Sequence, residues 1–260
     1  AKRCERTSFE SATRFLTSSK LRVGGFEAPI NLDSDEDAFE KDFTELPKIA
    51  EIASRSTANA VVLNIPSQTD RLPYPEYFEV VRARIVRIAE VFAKEEVQIA
   101  LAFSPLLAEK PKQFKFVQDV EGFLALANSC KQTGIVLDAW AWYCGNGTLE
   151  HLDQIGLDRV LAVRLADCVE AVAPSDASPE DCLLPGSTGV IDSAAYLQKL
   201  VEAGLDVPVS AQGRQLDGNG KRDQLIGATQ DALNEVFVQA GLPSQLRKPE
   251  LFAEASFAGN

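Results

Sequence analysis

The chain has 260 residues, 45% hydrophobic and 25% charged, with a formal net charge of −12. That supplies apolar material for a sizeable core and excludes a disordered chain, while the negative field repels phosphate backbones and anionic lipid, which argues against nucleic-acid and membrane-surface partners. The five cysteines, Cys4, Cys130, Cys144, Cys168 and Cys182, form no CxxC pair and no even-numbered disulfide framework, and no apolar run reaches the roughly 20 residues that span a bilayer, so a soluble, reducing, cytoplasmic setting is expected.

From the amino end, residues 8–19 read as a helix, followed by LRVGGF at 21–26, the first burst rich in Val, Ile and Leu. An amphipathic helix over 36–54 follows, with Phe39, Phe43, Leu46 and Ala50 on one face. Then come the burst AVVLNI at 60–65 and a helix over 76–95 that gathers Phe78, Val81, Ile85, Ile88 and Phe92. QIALAF at 98–103, a helix over 117–130, and GIVLDAW at 134–140 continue the alternation. A helix over 148–156 starts from an N-cap at Thr148, RVLAVRLA occupies 159–166, and a helix over 192–203 starts from Asp192. PVSA at 208–211 and a helix over 222–240, ending before Gly241, complete the pattern.

Six strands are therefore expected, each a continuous apolar run covered on both faces, which suits a parallel sheet wrapped by helices in either a barrel or a doubly wound arrangement. No linker or low-complexity tract divides residues 1–260, so one domain is expected. A closed (β/α)8 barrel needs eight strands. Only one helix fits before the first visible strand, and the chain starts at Ala1 with no methionine, so the opening β-α-β of such a barrel is expected to be missing. The glycine clusters Val23-Gly24-Gly25, Cys144-Gly145-Asn146-Gly147 and Asp217-Gly218-Asn219-Gly220-Lys221 match neither GxxxxGK[ST] nor GxGxxG and read as turns. The single histidine, His151, lies in the first turn of a helix without the clustered partners a metal needs, and reads as a solvated side chain.

Four segments, LPYPEYFEVVRARIVRIAEVFAKEEVQIALAF, IVLDAWAWYCGNGTLEHL, VRLADC and LPGSTGVIDSAAYLQKLVEAGLDVPVS, together resemble the sugar phosphate isomerase/epimerase family with a xylose-isomerase-like TIM barrel, from about Gly24 to Gln212. The resemblance implies an active site at the carboxyl ends of the strands, where two Glu, one Asp and one His hold a divalent metal that polarises substrate oxygens while a carboxylate moves a proton. In this chain those four positions correspond to Ala102, Asp138, Arg164 and Gln212. A further histidine of the family's segment, after its first Trp, is Ala141 here. One carboxylate survives beside a permanent cation, so no divalent metal and no other cofactor is expected.

The candidate catalytic residues are accordingly Asp138 and Arg164, with Gln212, Trp142 and Asp167 as candidate ligand-binding residues. All but Gln212 have a structural alternative. Asp138 and Arg164 form an ion pair that serves stability alone; Trp140, Trp142 and Tyr143 belong to the core rather than to a sugar-facing wall; Asp167 caps a loop; Lys110 and Lys112 are solvated rather than aimed at an anionic substrate. Three functions remain open. The first is a pseudoenzyme that keeps a pocket for a small carbohydrate-like or anionic molecule. The second is an isomerase or epimerase working without metal, with Asp138 as base and Arg164 stabilising an enediolate. The third is a structural or interaction protein, homo-oligomeric or not, with a vestigial pocket. A pocket filled by side chains favours the third, and an open one the first two.

Overall fold

The computed structural model describes residues 9–18, 23–105, 110–215 and 222–243. In chain order its helices and strands are α1 (Phe9–Ser18), β1 (Gly25–Glu27), α2 (Glu36–Arg55), β2 (Ala60–Ile65), β3 (Gln68–Thr69), α3 (Tyr74–Ala93), β4 (Ile99–Phe103), β5 (Phe114–Lys115), α4 (Val120–Ser129), β6 (Gly134–Asp138), α5 (Ala139–Cys144), α6 (His151–Ile155), β7 (Val160–Leu165), β8 (Asp167–Cys168), β9 (Cys182–Leu183), α7 (Ser193–Glu202), β10 (Val209–Ala211) and α8 (Arg222–Gln239).

The sheet order is β1-β2-β4-β6-β7-β10, with every neighbouring pair parallel. Parallel neighbours need a crossover, and each of these crossovers carries helix. Strand side chains alternate between faces. Val61, Leu63 and Ile65 of β2 and Ile99, Leu101 and Phe103 of β4 join the large core under the helices. Ala60, Val62, Ala100, Ala102, Val136 and Leu161 form a second, separate core on the concave face. Burial on both faces explains why these strands read as unbroken apolar runs.

The sheet curls strongly. Asn59, just before β2, reaches across the concave side to donate from Nδ2 to the carbonyl of Leu161 at 2.7 Å. Gly24, just before β1, stands so near Pro208, just before β10, that a Cβ placed on it would lie 3.2 Å from the proline Cβ. The two edge strands thus approach at their amino ends without pairing, giving a half-barrel of the expected (β/α)8 class.

One irregularity sets the geometry at the other end. Ile135 pairs with Val160 but Val136 pairs with Ala162, so β7 carries one surplus residue at Leu161. Beyond that bulge Asp138 lies opposite Arg164. Without it Asp138 would face Val163, and the arginine would turn to the helix side.

Three helix starts, of α2, α4 and α7, follow from aspartate caps. The carboxylates of Asp35, Asp119 and Asp192 accept the backbone N–H of Ala38, Gly122 and Ala195 respectively. Two expected boundaries need correction. The strand expected over 134–140 stops at Asp138, because Asp138 itself caps α5 and draws Ala139 and Trp140 into that helix. The helix expected from Thr148 starts at His151, and the Thr148 N–H donates to His151 Nδ1 at 2.9 Å. Two antiparallel ribbons, β3–β5 and β8–β9, were not anticipated, since two-residue strands carry no measurable period. Cys4, residues 21–22 of the first burst and the Asp217–Lys221 turn lie outside the described residues. Among the described residues no helix is long and apolar enough to cross a membrane.

Candidate functional site

The carboxyl ends of β6, β7 and β10 bring three of the sequence candidates together. Asp138 closes β6, Arg164 stands opposite it in β7, and Gln212 follows β10, held in register by its own N–H to the carbonyl of Leu165 at 2.9 Å. Asp138 Oδ1 accepts from the Ala141 N–H at 3.0 Å and from Gln212 Nε2 at 2.5 Å. Asp138 Oδ2 faces Arg164 Nη1 at 3.8 Å, an ion pair too long to be a hydrogen bond.

Asp138 is 8% exposed. Burial pushes its carboxyl above the ordinary carboxylate value, and the Ala141 N–H, the Arg164 charge and the Gln212 amide offset this only in part. Arg164 is in a different state. Its side chain is 32% exposed and donates no hydrogen bond to any described residue, so most of its five N–H groups are available. It also lines a cavity of about 330 Å³ on the concave side, between the edge strands, together with Glu27, Val62, Val136 and Ser210. Glu27 and Ser210 were not among the sequence candidates. The strand-end rule applied to the first burst would have pointed to Glu27, which directly follows LRVGGF.

The other two candidates do different work. Trp142 is fully buried, packs edge-on against Phe103 and Phe123, and donates its indole N–H to the carbonyl of Thr148 at 3.0 Å. A Cβ at Gly147 would fall 2.2 Å from its ring, which explains the glycine in that turn. The expectation of a ligand-facing Trp142 gives way to its core alternative, because no face of the indole reaches solvent. Asp167 is also fully buried. Its two oxygens accept the N–H groups of Cys168, Ile191, Thr188 and Gly189 at 2.7–2.9 Å. That leaves the carboxylate saturated as a loop anchor, and its ligand-binding expectation is likewise replaced.

Trp140 is buried and stacks on Tyr143 at 6.2 Å, and the Tyr143 hydroxyl donates to the Val172 carbonyl at 2.6 Å. Lys112 is paired with Asp33 at 2.5 Å. Burial alone would raise the Asp33 pKa, but the Lys112 ammonium and the hydroxyls of Thr69 and Tyr77 outweigh it and hold the carboxyl below its usual range. Lys110 is exposed and takes part through its carbonyl, which accepts from Gln68 Nε2 at 3.2 Å. Neither lysine lines the cavity.

The donor set does not fit a divalent metal. Asp138 spends Oδ1 on two N–H donors, Arg164 brings a positive charge to the same spot, and Ala102 contributes a methyl group to the inner core. Among the described residues no group of three or more His, Cys, Asp or Glu stands close enough to hold a metal ion.

Solved structures share this architecture. A xylose isomerase domain protein from Alicyclobacillus acidocaldarius subsp. acidocaldarius aligns with a TM-score of 0.79 at 22% identity, covering 92% of this chain and 86% of its own. An IolI protein crystallised with a zinc atom aligns with a TM-score of 0.75 at 18% identity, over 92% of this chain and 84% of its own. A D-tagatose 3-epimerase-like protein aligns with a TM-score of 0.67 at 16% identity, over 90% and 84%. No curated protein matches the chain. At these identities the likeness speaks for the fold alone. The sequence profile described as "Xylose isomerase-like TIM barrel" goes further, matching residues 2–235. That match spans all six parallel strands and both faces of the curled sheet, and the chain belongs to the xylose isomerase-like TIM barrel family.

Proposed function

We propose that the chain is a non-catalytic member of its family that binds a small, polar, anionic sugar-like molecule at the carboxyl ends of the strands. The observation that carries this reading is Arg164, a guanidinium left without hydrogen bonds to described residues at the wall of an open cavity. A planar cation with free donors matches a carboxylate or phosphate group. Gln212 and Asp138 stand beside the guanidinium but outside the cavity lining, where Glu27 and Ser210 are the other polar side chains open to a hydroxyl. The cavity lies between the edge strands β1 and β10, and Arg164 lines it without filling it.

Calorimetric titration of the purified chain with sugar phosphates and sugar acids, in excess chelator, tests the reading. Saturable binding is expected, weakened roughly 10- to 100-fold in Arg164→Gln, the range set by about 1.5–3 kcal/mol for a hydrogen bond to a charged group. Absence of binding across both panels, or binding indifferent to Arg164, defeats it.

A second reading, a metal-free isomerase or epimerase, is favoured by the raised pKa of Asp138, since burial tunes a carboxylate toward service as a base. Exchange of solvent deuterium into a sugar C–H next to its carbonyl, persisting in chelator and abolished in Asp138→Asn, would replace the first reading by this one.

A further inference from the structure

The β8–β9 ribbon begins directly after the strand that carries Arg164, and it places Cys168 opposite Cys182. The flanking Val169 N–H donates to the Asp181 carbonyl at 3.0 Å. Hydrogen-bonded and non-hydrogen-bonded pairs alternate along an antiparallel ladder, so the cysteines occupy the non-hydrogen-bonded position, where Cα atoms approach to ~4.5 Å and side chains project from the same face. Disulfides take Cα separations of about 4.4–6.8 Å. Both cysteines are free thiols, with Cys168 fully buried and Cys182 8% exposed.

We propose that Cys168 and Cys182 form a thiol pair that closes to a cross-strand disulfide on reaction with a small-molecule disulfide. Cys182 is the more accessible and reacts first. Its thiolate attacks one sulfur of R–S–S–R, forming a mixed disulfide and expelling RS⁻, which takes up the proton Cys182 lost. The Cys168 thiolate then attacks the Cys182 sulfur, forming the Sγ–Sγ bond and releasing the second RS⁻, which takes up the proton from Cys168. The protein loses two electrons and two protons, and the small disulfide becomes two thiols.

Burial pushes the Cys182 thiol up to about 12 and raises that of Cys168, so the exchange is slow, on the scale of hours. Cys144 is a third buried thiol nearby, but it belongs to α5 and has no cross-strand partner. Closure would pin the ends of the 169–181 loop. β9 is also tied to Arg214, two residues beyond Gln212, through Arg214 N–H to the Cys182 carbonyl at 3.0 Å and Leu184 N–H to the Arg214 carbonyl at 2.9 Å. The covalent bond would therefore brace one wall of the strand-end site. The proposal is independent of what that site binds.

The test uses cystamine, a compact disulfide. The folded chain is incubated with it for hours at mildly alkaline pH, acid-quenched, alkylated with iodoacetamide after denaturation, and digested with trypsin. Cys168 and Cys182 share one tryptic peptide, 165–199. The expected product is that peptide lighter by two hydrogens, unalkylated, and restored by dithiothreitol, with the same closure in Cys144→Ser. Cys168→Ser should stall with a cysteamine adduct on Cys182. Double alkylation of 165–199 in the treated chain, a bond from Cys144 to either cysteine, or a stable adduct on Cys182 with Cys168 intact would each overturn the proposal.

Discussion

Asp138 carries a cost that pH should expose. Its folded-state pKa lies above the ordinary 3.8 because burial penalises the carboxylate. Between those two values the folded chain binds more protons than the unfolded one, so this group's contribution to stability is greatest at low pH and falls as pH rises through the window that starts near 3.8. Asp138→Asn keeps an oxygen for the Ala141 and Gln212 donors but removes the buried charge. Urea unfolding across a pH series should show the variant without that decline and at least as stable as the parent at neutral pH; a steeper decline would show that the Arg164 pair outweighs burial. The strand-end positions of Asp138, Arg164 and Gln212 were anticipated through the family resemblance; strict period-two alternation along β7 would have missed Arg164, which the surplus residue at Leu161 turns to the concave face. For Trp142 and Asp167 the choice between ligand and structural roles was not legible, because it rests on packing against Phe103 and Phe123 and on the 188–191 loop, which are distant in sequence.

Among the elements, the loops at the carboxyl ends hang on single residues. Asp167 satisfies four backbone N–H groups, three of them at 188–191. Asp167→Ala leaves those donors buried or forces the loop open, and a loss of about 3 kcal/mol is expected in equilibrium unfolding. Gly213 follows Gln212 with φ +107°, and a Cβ there would meet the Leu183 carbonyl at 2.3 Å. Gly213→Ala should cost about 1–3 kcal/mol, seen as a lowered melting temperature. It should also weaken ligand binding, because Gln212 and Arg214 are displaced together. Long helices with aspartate caps were readable from sequence. The six-residue α5 was not, because its apolar residues continue the β6 run without a break, and the ribbons are set by pairing across 14 residues or more rather than by any local preference.

At the scale of the whole molecule, the six bursts and their parallel character were legible, because central strands buried on both faces leave a run of Val, Ile, Leu and Ala. What sequence could not give was the curl, which packs the small side chains Ala60, Ala100 and Ala102 on its concave face and brings Gly24 close to Pro208. The same scaffold predicts that metal binding is recoverable. Ala102→Glu, Arg164→His and Gln212→Glu, with the native Asp138, rebuild the set implied by the family resemblance. Elemental analysis after zinc loading and desalting should find about one zinc per rebuilt chain and far less than one in the parent. Equal retention by both would show that the metal sits elsewhere.

The surplus residue at Leu161 has a consequence for how such a site is inherited. A strand is a two-beat rhythm, and one extra beat reverses which side chains look inward for everything downstream. Losing that beat would swap a guanidinium for a valine at the barrel's heart without altering a single codon of the polar residues themselves. The identity of the site is thus written partly in the parity of a count, a property that comparing residue types column by column would never register.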